Sequence, residues 1–575
     1  MNDFLKNSKK FFTDPQGTVL SAATIIMIMI VVSRILGLIR QRVLANFFDP
    51  NELSLFFAAF RLPDLIFEVL VFGTFSSAFI PVFTKSLKKG EKNAWDTAGR
   101  VVNIGLIIFV IFAFLFGVWA NKIYSVIAPG YTAVEIEKIA QIARILFLAQ
   151  GFFVISYVLT GVLESLRRFL IPALAPIFYN LGIILGTIIL TPYFNLKAPA
   201  IGVVIGAVAH FVIQLPLAYK LGFRFVPTIR PNEEVKKIGK LALPRVIDLS
   251  FDQIGKSIEL YLASIISTAS YTYYTFANSL QLLPVTLFGT SLAKAALPIL
   301  SRNEDRPNKF RKILINTLFQ ALFFSAPIAV CLIVLRIPVV RLVYGTDIFD
   351  WNATLQTGAV LSVFALGVVF QTLVAILVRG FFALHDTKTP VVVSMIGLLI
   401  LVIGDLSLVL GFHFPVWALA ASFSFGAFVE TILLFYLIHK KLGKVFVFRN
   451  LVRVGKMIFS STLSGFVMYF FLKFFDKSVW VKRLSFLGKI DATKNLPFDK
   501  FVLDTRYTAN LLILTLMVTL SGIIVYLGMS VILRTKEVWV FFNLLKRLFV
   551  GRKIEPIPSK ETEQVTPTTT DTTSN

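Results

Sequence analysis

Apolar residues fall along this chain in long runs, and short polar stretches between them carry most of the charge. A run of roughly 20 such residues, rising 1.5 Å per residue as a helix, crosses a hydrocarbon layer of about 30 Å. About fourteen runs qualify, near 18–45, 55–84, 101–120, 139–163, 171–191, 198–219, 241–267, 272–300, 313–335, 355–383, 390–411, 415–438, 457–475 and 509–533. They predict an all-α polytopic membrane protein of about fourteen transmembrane helices. The second and eighth runs hold internal Pro and Gly and are expected to kink. No small-residue cleavage site follows the first run, so it reads as a true span.

Bases cluster after alternate runs. Lys6, Lys9 and Lys10 precede the first; Lys85, Lys88, Lys89 and Lys92 follow the second; Arg167 and Arg168 follow the fourth. The pattern recurs after the sixth (Lys220, Arg224, Arg230), the eighth (Arg302, Arg306, Lys309) and the twelfth (Lys440, Lys441, Lys444). Lys and Arg are retained on the cytoplasmic side, so the even connections and both termini are expected there. The basic connection 476–508 is long, obeys that rule weakly, and is placed outside. The expected organisation is a cytoplasmic N-terminus (1–17), a six-helix lobe (18–220), a second six-helix lobe (221–440) and two extra helices (441–534). An interfacial amphipathic helix (535–550) and a disordered Thr-rich tail (551–575) follow.

The two lobes are expected to be repeats. Phe72-Gly73-Thr74 followed by Ala78-Phe79-Ile80-Pro81 parallels Phe288-Gly289-Thr290 followed by Ala295-Ala296-Leu297-Pro298, and both run into bases. The offset spans six runs, an even number, so the halves should be parallel and related by an axis along the membrane normal. Two such halves around a cavity are the layout of an alternating-access transporter.

Composition narrows the function. Charged residues are only 15% of the 575, against 56% hydrophobic, and Phe alone numbers 58. The net charge of +25 is too sparse between apolar runs to build a nucleic-acid groove. One cysteine, Cys331, and four histidines give no disulfide, no zinc motif and no catalytic constellation, and no phosphate-binding loop is present. No enzyme activity and no cofactor are expected.

The informative residues are the ionisable ones inside apolar runs, each costing roughly 2.5–3.5 kcal/mol to insert. Arg34 and Arg40 lie about 120° apart on the first helix, so both can border one broad lumen. A guanidinium fork suits a phosphate; the alternative is that both snorkel to the interface. In the seventh run Arg245, Asp248, Asp252, Lys256 and Glu259 step along one helical face, as either a self-neutralising ladder or a functional lining. Asp405, alone in the eleventh run, suits Na⁺ or H⁺ binding or pairing with a neighbouring base. Arg61, Asp64, Arg144 and Arg379 complete the set.

Several segments together resemble the MurJ/MviN family of lipid II flippases, within the wider multidrug/oligosaccharidyl-lipid/polysaccharide exporter superfamily. Ser33-Arg34-Ile35-Leu36-Gly37-Leu38-Ile39-Arg40 is similar to its S-R-x-L-G-x-x-R, and Phe56-Phe57-Ala58-Ala59-Phe60-Arg61-Leu62-Pro63 to its F-F-x-A-F-[KR]-L-P. Pro172 to Pro176 with Asn180, Leu283-Pro284 with Leu287-Phe288-Gly289, and Ala383-Leu384 through Thr389-Pro390 continue the likeness in order. The resemblance implies a two-lobed fold, a cationic central cavity and a bacterial inner-membrane location. It implies a cargo of undecaprenyl-pyrophosphate carrying a disaccharide-pentapeptide, and a place in cell-wall synthesis and cell shape. It implies that Arg34 and Arg40 contact pyrophosphate, and that Asp405 and Ser422, with Asp252 as partner, hold a coupling Na⁺. Membrane lipids and cell-wall synthesis proteins are the further partners expected.

The chain departs from the family pattern at Gln41 and Ser54 (both Asp there), Asp64 (Asn), Phe67-Glu68 (a basic pair), Phe72 (Glu) and Asn278-Ser279 (Asp-Arg). Arg61, Arg245 and Lys256 are the candidates to restore positive charge. Three rivals stay open: an exporter of another polyprenyl-linked polysaccharide, of O-antigen or capsule type, a cation-coupled drug exporter, and a non-transporting membrane scaffold that recruits wall-synthesis partners.

Overall fold

The computed structural model describes residues 19–69, 78–225, 228–443, 448–476 and 502–549. Among these the chain is helical, with one isolated pairing of Asp476 and Leu503. The first passage is α1 (Val19–Phe47). The second is broken into α2 (Pro50–Ala59), α3 (Arg61–Phe67) and α4 (Ile80–Lys89), with π-turns at 68–69 and 78–79. Then come α5 (Glu91–Val118), short α6 (Ala120–Ile127), α7 (Ala133–Ser165), α8 (Leu170–Phe194), and α9 (Ala198–Val212) continued by α10 (Leu215–Lys220). The second half opens with α11 (Glu233–Ile266) and α12 (Ser270–Pro284), which passes through a π-turn (Val285–Thr290) into α13 (Ser291–Ser301). It continues with α14 (Pro307–Val334), short α15 (Arg336–Tyr344), α16 (Trp351–Ala383), α17 (Lys388–Leu406) and α18 (Trp417–Leu442). Two more passages, α19 (Phe448–Phe475) and α20 (Thr508–Ile532), precede α21 (Lys536–Phe549).

Fourteen passages result among the described residues. Ten stretches are apolar and long enough to cross a membrane by composition alone, with α8 to α10 counted as one. α11 is not among them, because Lys, Arg, Asp and Glu recur along it. Helix starts carry the polar caps that unpaired N–H groups require. Asp49 accepts from the amides of Asn51 and Glu52, Thr132 and Glu135 form a reciprocal box, and Asp350 caps α16 through Ala353 N at 2.8 Å.

The repeat is visible in the helices. α5 and α14 each have 28 residues, and α7 and α16 each have 33. Both 33-residue helices end in a turn with a non-glycine residue at positive φ, Arg167 at 59° and His385 at 56°. The second and eighth passages are interrupted by π-turns, as their Pro and Gly predict, and a further π-turn, Ser407–Gly411, ends the eleventh. Phe72-Gly73-Thr74 lies outside the described residues, while Phe288-Gly289-Thr290 sits in the π-turn.

Packing follows the chemistry of a bilayer. Large apolar side chains such as Val110, Phe114, Ile189, Leu399, Ile403, Phe466 and Ile524 point outward where lipid replaces water. Between helices, small residues allow close approach. Gly182 and Gly186 on α8 face Gly206 and Gly202 on α9, and a Cβ on Gly182 would lie 2.3 Å from Gly206 Cα. One apolar core runs through the first half and on into Leu260, Phe276, Tyr344, Phe349 and Leu419 of the second. A separate core joins α13, α14, α16 and α18 and contains no residue of the first half. α21 docks Val538 beside Phe323, Met457 and Tyr526, and leaves Trp539 and Phe542 exposed. The tail 551–575, the start 1–17 and most of 476–508 lie outside the described residues.

Candidate functional site

The two halves meet most tightly at the end whose connections are poor in base. There Thr272 Oγ1 donates to Pro50 O at 2.7 Å, and Thr346 Oγ1 to Ala45 O at 2.8 Å. Arg42 Nη1 donates to Leu342 O at 2.7 Å. Gly130 N donates to Ser264 Oγ at 3.2 Å, and only glycine fits, since a Cβ would sit 2.1 Å from Ser264 O. Phe57 and Phe276 stack edge-on at 5.7 Å. At the base-rich end, cross-half hydrogen bonds and ion pairs are those of α11 and the segment before it, such as Asn232 to Thr97 at 2.9 Å and Lys89 to Glu234 at 3.4 Å. The halves are therefore packed tightly at one end, while toward the other α11 joins the first half's core through Ile238 and Ala242 and the remaining second-half helices are cored separately.

A cavity of about 320 Å³ lies within the first half, walled by Asp64, Phe67, Glu68, Gln150, Phe153, Tyr157, Pro176, Tyr179 and His210. Arg40 flanks this wall, its guanidinium carbon 6.0 Å from the centre of the Tyr179 ring. Arg34 is exposed on α1, beside exposed Ile30, Val31 and Ile35. Neither arginine forms an ion pair with a described residue. The first helix is held by Asn180, whose Nδ2 reaches both Ser33 O and Ser33 Oγ at 3.4 Å.

A string of buried charge crosses the middle. Arg61 is 5% exposed, and its Nε and Nη2 have no hydrogen-bond partner among the described residues. Asp64, one turn on, accepts from Gln150 Nε2 at 2.7 Å. Glu259 on α11, buried, lies within electrostatic reach of Arg61 and of Asp405. Asp405 is fully buried beside Ser422 on α18, yet neither carboxylate oxygen has a hydrogen-bond partner among the described residues. An ionised carboxylate in that state is strongly disfavoured, so its oxygens suit a cation or a proton. Glu259, read from sequence only as part of a ladder, is the α11 acid near Asp405. The side chains of Arg245 and Asp252, the other α11 candidates, lie outside the described residues.

Lys256 reaches across the halves to Glu68, Nζ to Oε2 at 3.1 Å, and Gln253 Nε2 donates to the same oxygen. Glu68 is one of the departures from the family pattern, and its neighbour across the halves supplies the base. Two further departures also meet. Gln41 Nε2 donates to Ser279 Oγ at 2.7 Å, while Tyr344 OH donates to Gln41 Oε1 at 2.8 Å. An acid and a base in the pattern are here an amide and a hydroxyl in contact. Ser54 hydrogen-bonds the Tyr131 hydroxyl at 2.8 Å. Sequence reading also missed Gln150, Tyr179 and His210, which come from three different helices and have no shared motif.

Comparison with known proteins bears on this geometry. The family model described as lipid II flippase MurJ matches residues 45–490. The probable lipid II flippase MurJ of Buchnera aphidicola subsp. Acyrthosiphon pisum (strain APS) is 28% identical over 418 residues, covering 71% of this chain and 81% of that protein. That of Vibrio cholerae serotype O1 is 28% identical over 444 residues, covering 73% and 83%. Among solved structures, lipid II flippase MurJ in an inward closed conformation superposes with a TM-score of 0.71 at 24% identity, covering 90% of this chain and 99% of that one. An inward-facing multidrug resistance MATE family transporter of the MOP superfamily shares the fold at a TM-score of 0.60 and 15% identity, covering 72% and 95%. With the family model matched over most of its length, and a two-half helical architecture in agreement, this chain belongs to the MurJ family of membrane transporters.

Proposed function

We propose that this chain flips undecaprenyl-pyrophosphate-linked peptidoglycan precursor, lipid II, from the inner to the outer leaflet of a bacterial cytoplasmic membrane by alternating access. The observation that carries the reading is Arg40 beside a cavity of the first half that Lys256 of the second half reaches through Glu68, in a molecule whose halves pack most tightly at the base-poor end. Retention of bases in the cytoplasm makes the base-rich end cytoplasmic, with both termini on that side, so the tightly packed end is the outer one. Arg40, with Arg34 on the exposed flank of the same helix, receives the pyrophosphate, and Arg61 and Lys256 add positive charge deeper in. The prenyl tail stays in lipid throughout. Rocking of residues 18–220 against 221–440 would break the seal around Gly130, Ser264, Pro50 and Thr272 and open the cavity outward.

Asp405 with Ser422, and Glu259 close by, is the candidate coupling site for Na⁺ or H⁺. Binding there biases the halves only if it favours one arrangement over the other. Moving one charge through 100 mV supplies about 2.3 kcal/mol. The test is reconstitution of the purified chain in vesicles loaded with fluorescent lipid II, with a reductant outside to report leaflet exchange. Exchange above that of protein-free vesicles is expected. Exchange no faster than protein-free vesicles contradicts the reading, and selective exchange of an O-antigen-type polyprenyl glycan replaces it.

A further inference from the structure

Beside the arginine that would take an anion, the same wall is built for a cation. Asp64 and Glu68 present carboxylates into the 320 Å³ cavity. Gln150, 6% exposed, donates its Nε2 to Asp64 at 2.7 Å and leaves its Oε1 without a partner among the described residues. A buried carbonyl oxygen of this kind calls for a donor. Three acceptors converge, and the rest of the wall is aromatic. Phe153 packs edge-on to Tyr179 at 5.2 Å and to Tyr157 at 6.3 Å, so ring faces and edges line the space. Acceptor oxygens with ring faces are the setting that holds an ammonium group. His210 in the same wall engages Ser156 Oγ through Nδ1 at 2.6 Å. An ammonium already stands at the rim: Lys256 Nζ, carried by the other half, is 3.1 Å from Glu68.

We infer that this pocket is a subsite for a primary ammonium group of the cargo, held by Asp64, Glu68 and Gln150 Oε1 against Phe153, Tyr157 and Tyr179. The inference rests on the reading that a pyrophosphate headgroup enters beside Arg40. It adds that the headgroup is recognised as a zwitterion, its anion at Arg40 and its amine one pocket away. Because Lys256 competes for Glu68 from the second half, an arriving amine would weaken a bond that ties the halves together.

The test compares two fluorescent undecaprenyl-pyrophosphate glycopeptides, one with a free side-chain amine and one N-acetylated, binding to the full chain in nanodiscs. Acetylation is expected to weaken binding to wild type about tenfold and to leave binding to Asp64→Asn within about twofold. Gln150→Leu, which removes the orphan acceptor without touching charge, should show an intermediate loss. Equal binding of both glycopeptides to wild type overturns the subsite and leaves the cargo reading standing. If neither glycopeptide binds, the cargo reading fails, and n-butylammonium against n-butanol then decides the subsite alone. Preference for the ammonium in wild type but not in Asp64→Asn supports it, and no preference overturns it.

Discussion

At the scale of single residues, the decisive feature is charge held out of water without full partners. Asp405 is the extreme case, with both oxygens unsatisfied among the described residues. Asp405→Asn keeps shape and removes a carboxylate that nothing described neutralises, so the unfolding midpoint should not fall. Transport should lose its response to a Na⁺ or pH gradient, a coupling of about 1–3 kcal/mol, measured as exchange rate with and without the gradient. A variant that still follows the gradient would remove Asp405 from coupling. Asp405 was legible in the sequence because a lone acid in an apolar run is conspicuous. Arg34 and Arg40 were expected from the sequence to border one lumen, whereas the fold sets them apart, with Arg40 beside Tyr179 and Arg34 exposed. Gln150 and Asp64 were not legible as a pair, because their meeting depends on how α3 packs on α7.

At the scale of helices, contacts decide which residues are replaceable. Gly182 meets Gly206 so closely that a methyl group would have to displace backbone. Gly182→Ala should therefore lower stability by about 1–3 kcal/mol, read by thermal unfolding in detergent. Gly528→Ala, with nothing within 4 Å of its Cβ position, should be neutral. Gln41 and Ser279 form a second kind of contact, an amide and a hydroxyl where the family pattern has opposite charges. Gln41→Asp alone places a bare carboxylate there and should cost about 3 kcal/mol or more. Adding Ser279→Arg should recover much of that loss, with a coupling energy of about 0.5–3 kcal/mol in a double-mutant cycle. Additive effects would show that the pair does not interact.

The turn between α16 and α17 gives a pH-dependent contact at the base-rich surface. Asp386 accepts from Thr389 N at 3.0 Å and Thr389 Oγ1 at 2.6 Å, and pairs with Lys441 at the end of α18. Burial pushes this carboxyl up, but Lys441 and Thr389 outweigh it and hold it down to about 2. The folded value is below the unfolded one of roughly 3.9, so the contribution is full above that pH and is lost as pH falls through about 2. Lys441→Met should lower stability by about 0.5–1 kcal/mol at pH 6 and have much less effect near pH 2. An equal effect at both would assign the loss to packing.

At the scale of the whole molecule, hydrophobic runs and flanking bases made the passages and the parallel halves readable before any coordinates. Matched helix lengths and the paired turns at Arg167 and His385 agree with that reading. What periodicity could not convey is the seal at one end, since Gly130 against Ser264 and Thr272 against Pro50 are joined only by the relative placement of the halves. The same holds for the acidic side of the cavity, built from helices far apart in the chain. The central claim is that the Arg40 guanidinium beside the cavity receives a pyrophosphate headgroup. It is tested most directly by lipid II exchange in vesicles for wild type, Arg40→Lys and Arg40→Ala at matched folded protein. Exchange should fall by at least about tenfold in Arg40→Ala, with Arg40→Lys between the two because it keeps charge but loses the fork. Wild-type rates in Arg40→Ala would contradict it.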